Sequence, residues 1–150
     1  MHSSNFTAMN ILIVNGPNLN LLGTREPEIY GSKSMETLLQ EIREEFPTVE
    51  ISYFQSNSEG AIIDHLQTAS FDHLVINPGA FTHYSYALAD CLKNISKPKI
   101  EVHISNIYQR ELFRQKSVTA PYSNSLLSGF GLDGYRLAVL ALLKISTNTH

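Results

Sequence analysis

Five times along this chain a short apolar run is followed by a segment of helical period, and that alternation leaves few folds open. ILIVNGPN at residues 11–18 has four apolar, mostly β-branched residues halted by Asn-Gly-Pro, the pattern of a strand buried on both faces. SMETLLQEIREEFP follows, with Met35, Leu38, Leu39, Ile42 and Phe46 at helical spacing, Ser34 able to cap its start and Pro47 marking its end. The pattern then repeats. VEISYFQSN leads into SEGAIIDHLQTAS, HLVINPGA into HYSYALADCL, and KIEVHIS into NIYQRELFRQ. The last of these reads as a helix opened by a capping-box pair, Asn106 and Gln109. A short apolar piece, SLLSGFG, precedes DGYRLAVLALLKI, which is apolar on several sides and therefore expected to be largely buried.

Repeated strand–helix units imply a parallel sheet with helices on both faces. Five of them in 150 residues suit a flavodoxin-like, doubly wound α/β fold with strand order 2-1-3-4-5. Ligands of such sheets bind outside the carboxyl ends of the strands, where the winding reverses.

Composition narrows the function classes. With 43% hydrophobic and 17% charged residues the chain is an ordinary globular one, and its length fits one domain. A net charge of −3 without a Lys/Arg cluster argues against nucleic acid as a partner. Cys91 is the only cysteine, so no intrachain disulfide forms, and no histidine pair has ligand spacing with a matching carboxylate, so no metal is expected. No apolar run is long enough to span a bilayer. The opening MHSSNFTAMN lacks the pattern of a secretory signal. Residues 1–9 are read as a disordered leader before a single domain at 10–150, and the expected location is the cytoplasm.

The expected strand ends are rich in polar residues. The first ends in GPNLN, the third in NPGAFTH and the fourth in EVHIS, which brings Asn18, the 77–83 loop and His103 toward one crevice. None of these is a phosphate-cradling glycine loop. Along the fourth strand the period of two puts Glu101, His103 and Ser105 on one face. A carboxylate two residues from a histidine can hold its tautomer for acid catalysis, or the two can be a buried pair at the sheet edge; both readings fit the residues. Arg110 and Arg114 are expected on one helical face, either solvated or as an anion clamp, with Arg114 better placed to turn inward. His83 is expected at the start of the third helix, and Asp90 on the same helical face. His65 and His73 have no polar company in the sequence and are read as structural or surface residues.

Between the first strand and the first helix, GTREPEIYG places Arg25 and Tyr30 in a loop with a glycine at each end and Pro27 within it. A loop this long in a compact domain is usually functional, and this one leaves the first strand beside the crevice, as a lid would. A free tyrosine, of pKa about 10, is ionised in about one molecule in a thousand at pH 7, which costs a tyrosinate base about 4 kcal/mol. An arginine within ~4–6 Å lowers an acid's pKa by about 1–3 units. Spacing within a loop does not prove such contact, and this stretch alone fits at least as well a tyrosine packing its ring on the domain surface.

GPNLNLLGTREPEIYG, QSNSEGAIIDHLQ, NPGAFTHYSYALADCL, EVHISNIYQRELFR and GFGLDGYRLAV together resemble type II 3-dehydroquinate dehydratase, from about Ile11 to Ile145 and in one order. The resemblance implies dehydration of 3-dehydroquinate to 3-dehydroshikimate, without metal or cofactor, by anti elimination through an enolate. It assigns Tyr30 as the base, Arg25 as the group favouring its anion, His103 as the acid and Glu101 as the residue orienting it. Asn18 matches the holder of a water at the enolate oxygen. Asn77, His83, Ile104, Ser105 and Arg114 match substrate contacts, and Asp90 matches an aspartate reaching a neighbouring subunit's site. The family forms dodecamers built from trimers. Tyr84, Ala89 and Cys91 depart from its commonest pattern, and Ala89 bears on a subunit contact. The rival readings are a flavin- or partner-binding module on the same fold, which leaves Glu101 and His103 unexplained, and another enolising lyase with a different clamp.

Overall fold

The structure, a computed structural model, describes residues 8–23 and 33–147. Its strands are β1 (Met9–Asn15), β2 (Val49–Gln55), β3 (His73–Asn77), β4 (Lys99–His103) and β5 (Ser125–Ser128). All neighbours are parallel, in the order β2-β1-β3-β4-β5. The expected flavodoxin-like order is therefore present, and the short piece SLLS supplies the fifth strand. β1 begins at Met9, in register with Val49. Its carboxyl end pairs Asn15 with both Gln55 and Asn77, so the ends of β2, β1 and β3 lie level.

The helices are α1 (Met35–Glu45), α2 (Glu59–Thr68), α3 (Tyr86–Lys93) and α4 (Asp133–Thr147). Ser34, Ser58 and Ser85 cap the first three, each accepting from the backbone N–H three residues on. The period of two sorts the sheet residues between two cores. Ile11, Ile13, Val75, Ile100 and Val102 face α1 and α4, where Tyr135, Ala138, Val139 and Leu142 are fully buried. Leu12, Val14, Leu74 and Ile76 face α2 and α3. Neither face of the sheet is left to solvent, as a parallel sheet requires.

One expected element has another form. Residues 107–114 are two short 3-10 turns, Ile107–Gln109 and Leu112–Arg114, not one helix. Asn106 does accept from the Tyr108 N–H, but the backbone becomes extended at Arg110 (ψ −174°) and Glu111 (ψ 151°). Helical spacing alone cannot hold a helix that packs at one end only: Ile107 is buried, but Leu112 is 84% exposed and Phe113 63%. Arg110 and Arg114 thus do not share a helical face. His83 is also placed differently, at the end of a 3-10 turn (Gly79–His83), three residues before α3 begins. Ser85, rather than His83, meets the helix's open N–H groups.

The loops leaving β1 and β3 touch. A Cβ at Gly16 would lie 2.3 Å from the Pro78 oxygen, and Gly79 has φ +59°, which side-chain-bearing residues rarely adopt. Only glycine lets these two backbones meet at the point where the winding reverses.

Candidate active site

A crevice opens at the carboxyl ends of β1, β3 and β4. Asn18 and Asn77 lie on its wall, with His83, His103, Ile104, Ser105 and Arg114. Seven residues expected at the site, drawn from four chain segments, thus line one cavity. Arg110, which the sequence left beside Arg114 as an alternative, lines it too. Glu101 is fully buried behind His103. Asp90 is exposed on α3 and is not part of its own chain's crevice. Arg25 and Tyr30 lie outside the described residues.

The expected pairing on β4 is present. Glu101 Oε2 is 2.7 Å from His103 Nε2, with the histidine side chain 7% exposed. A carboxylate oxygen only accepts, so Nε2 carries the proton. That leaves Nδ1 as the ring nitrogen not committed to Glu101. Burial pushes the Glu101 carboxyl upward, but the hydrogen bond and charge of His103, with the hydroxyls of Thr119 and Thr82, more than offset it and hold it below the usual carboxylate value. Ser105, the third polar residue of that face, lies beyond the strand, where its carbonyl accepts from Ser128 Oγ at 3.1 Å.

His83 Nδ1 is 2.8 Å from the Lys116 carbonyl oxygen. A carbonyl has no proton to give, so Nδ1 donates and a neutral His83 keeps Nε2 as an acceptor. Arg114 Nε donates to Glu111 Oε2 at 2.7 Å, and its guanidinium carbon lies 5.1 Å from the centre of the Phe113 ring. That pair uses one of the guanidinium's five N–H groups, leaving the others for an anion.

Asn77 belongs to a buried chain of polar groups. Its Nδ2 donates to Tyr135 Oη at 2.8 Å, and Tyr135 donates to Asn15 Oδ1 at 2.7 Å. Asn15 Nδ2 donates to Tyr53 Oη at 3.2 Å. Burial pushes the Tyr135 phenol up, so it stays protonated and the direction of the chain is fixed. Asn77 Oδ1 accepts from the Gly79 N–H at 3.1 Å, which ties the amide to the turn that carries His83. Asn18 has φ 69°, and its N–H donates to Asn57 Oδ1 at 2.9 Å. Gln55 Nε2 holds that same oxygen at 3.1 Å.

Several of these partners were absent from the sequence reading. Asn15 and Tyr135 are 120 residues apart, and neither has a pattern that marks it. Thr82, Ser117 and Thr119, which surround Glu101, are small residues of irregular segments; Thr82 has only its place beside His83 as a signal. Of the remaining histidines, His65 stacks on Phe54 with ring centroids 3.9 Å apart, and burial lowers the pKa of His73. Among the described residues no group of three or more His, Cys, Asp or Glu could hold a metal, and no helix is long and apolar enough to cross a membrane.

A five-stranded parallel sheet of this order, with a histidine–carboxylate pair and arginines at its switch-point crevice, defines a flavodoxin-like α/β protein with a polar site where ligands of such sheets bind. The model of the class II dehydroquinase family matches residues 9–143. The chain belongs to that family, and the enzyme is a lyase of the hydro-lyase class. It is similar to the 3-dehydroquinate dehydratase of Clostridium beijerinckii, 54% identical over 139 residues that cover 89% of this chain and 95% of that one. The corresponding protein of Thermotoga maritima is 54% identical over 138 residues, covering 91% and 96%. Among solved structures, the type II dehydroquinase of Butyrivibrio crossotus superposes with a TM-score of 0.86 at 51% identity, covering 90% of this chain and 97% of that one. That of Propionibacterium acnes gives 0.83 at 39%, covering 95% and 100%.

Proposed function

We propose that this single-domain enzyme removes water from 3-dehydroquinate to give 3-dehydroshikimate, by anti elimination through an enolate. The observation that carries the mechanism is the buried Glu101–His103 pair, 2.7 Å apart, at the wall of a crevice shared with Asn18, Asn77 and Arg114. A proton α to a ketone is acidic enough for a tyrosinate, whereas hydroxide is a poor leaving group and needs an acid.

The steps follow from those two demands. The Tyr30 phenolate, favoured by the Arg25 cation, takes the C2 proton, and the C–H electron pair moves into the ring to make the C3 oxygen an enolate. A water held by Asn18 donates to that oxygen. The enolate then re-forms the ketone, the C1–O bond breaks, and a proton from His103 leaves with the hydroxyl as water. Glu101 orients His103 and balances its charge. Arg114 and Ser105, with the backbone at Ile104, hold the carboxylate and hydroxyls, and Asn77 and His83 complete the substrate contacts. The mechanism so written uses no metal or cofactor. A cytoplasmic dodecamer of trimers, in which Asp90 reaches a neighbouring copy's site, belongs to the same reading and is supported by the exposure of Asp90 on its own chain.

An ultraviolet assay tests it. The conjugated enone of 3-dehydroshikimate should form from 3-dehydroquinate at the same rate with and without borohydride, since no lysine imine takes part. Absence of product from folded protein, or inactivation by borohydride, overturns the proposal.

A further inference from the structure

Glu101 is held by more groups than the orientation of one histidine needs. Its Oε2 accepts from Thr82 Oγ1 at 2.9 Å and Ser117 Oγ at 3.0 Å, besides His103. Its Oε1 accepts from Thr119 Oγ1 at 2.5 Å. The three hydroxyl oxygens also meet one another, Thr82 with Ser117 at 2.6 Å, Thr82 with Thr119 at 2.7 Å, and Ser117 with Thr119 at 3.2 Å. An ionised carboxylate offers about four lone-pair sites and no donor. The three hydroxyls have one proton each, shared between the carboxylate and their contacts with one another, and with the Nε2 proton of His103 they surround an ionised Glu101 with donors on both oxygens.

The ring is also braced by backbone. The Val118 N–H donates to the Thr82 carbonyl at 2.7 Å, strapping the 117–119 segment to the turn after β3. Ser117 Oγ accepts from the Ala120 N–H at 2.9 Å, which fixes where that hydroxyl sits. Thr82 and Thr119 are fully buried, and no step of the mechanism touches them.

We propose that Thr82, Ser117 and Thr119 are positioning residues, a hydroxyl cage that keeps Glu101 an aimed, ionised acceptor and thereby sets how readily His103 gives up its proton. The proposal rests on the reading of His103 as the general acid. Each hydroxyl bond favours the ionised carboxylate; removing one makes Glu101 a stronger base, and the pair releases its proton at higher pH. Among the described residues, the other charged or titratable groups on the crevice wall are His83 from the turn after β3 and Arg110 and Arg114 from the turns after β4, the last paired with Glu111. They are unchanged by a cage substitution, so a shift between two variants reports the cage.

The test compares Thr119→Val, which keeps the shape and loses the hydroxyl, with Thr119→Ser, which keeps the hydroxyl. Two quantities are read on each: the alkaline limb of kcat/KM with 3-dehydroquinate, and the pH midpoint of the His103 imidazole by nitrogen NMR. In Thr119→Val both move up together, by roughly one pH unit, and Thr119→Ser returns both to the wild-type positions. Should Thr119→Val fail to fold, Ser117→Ala, at the half-exposed edge of the ring, carries the same comparison. A folded hydroxyl-deletion variant that loses stability while its imidazole midpoint stays in place overturns the cage. Wild-type protein without dehydratase turnover would instead remove the general-acid reading, and the imidazole midpoint would still decide whether the cage acts on His103.

Discussion

The two faces of β4 are made from five consecutive residues and do different work. Ile100 and Val102 turn to one side and are fully buried against α4, among Tyr135, Ala138 and Val139. Glu101 and His103 turn to the other and meet a ring of hydroxyls at the crevice. The apolar face needs nothing beyond shape and volume, so its stabilisation is spread over many weak contacts. The polar face needs every donor and acceptor matched, because an unmatched buried charge costs several kcal/mol. Alternation along one strand thus ties the Glu101–His103 pair to the rigid centre of the fold. The geometry of the proposed acid and its partner inherits the precision of the core behind it.

If the faces divide labour this way, substitutions on them should fail differently. The largest effect is expected from the residues proposed to move protons. Tyr30→Phe should lose nearly all turnover while still binding substrate, and near-normal turnover would remove its role as base. His103→Ala should lower dehydration by about 10²–10⁴-fold yet leave exchange of the C2 proton detectable by NMR in deuterated water. An unchanged dehydration rate would assign the acid elsewhere.

Glu101→Gln should reduce turnover less than His103→Ala, because the acid remains and only its orientation and charge partner are lost. The same substitution sharpens a pH comparison. The native Glu101 carboxyl lies below its unfolded value, so its contribution is fully present above the unfolded value of about 4.3 and is lost as pH falls through the lower native one. Denaturant unfolding of wild type should therefore weaken more steeply on acidification than that of Glu101→Gln; parallel slopes would break the link. On the apolar face, Ile100→Ala should cost about 2–5 kcal/mol of stability with turnover per folded molecule little changed. Ile100→Val should cost about 0.5–1.5 kcal/mol, the smallest effect, read from a thermal melt. A large loss of turnover in folded Ile100→Val would erase the distinction between the faces.

What the amino-acid order carried unaided was periodicity and punctuation. Alternation along β4, helical spacing from Met35 to Ile42, the Ser34 cap and the glycine–proline stops are local patterns, and a local pattern with one physical cause can be read without coordinates. The five strands and the face shared by Glu101 and His103 followed from them. The stretch from Ile107 to Arg114 misled because its spacing is helical while, past the buried Ile107, Leu112 and Phe113 find nothing to pack on, and burial depends on neighbours far along the chain. The cage around Glu101 was invisible for the same reason. Thr82, Ser117 and Thr119 stand 19, 16 and 18 residues from the carboxylate they bind, and a hydroxyl carries no periodic mark. Which polar groups meet is decided when strands and loops converge at the end of the sheet, where matching donors to a buried charge outweighs any local preference.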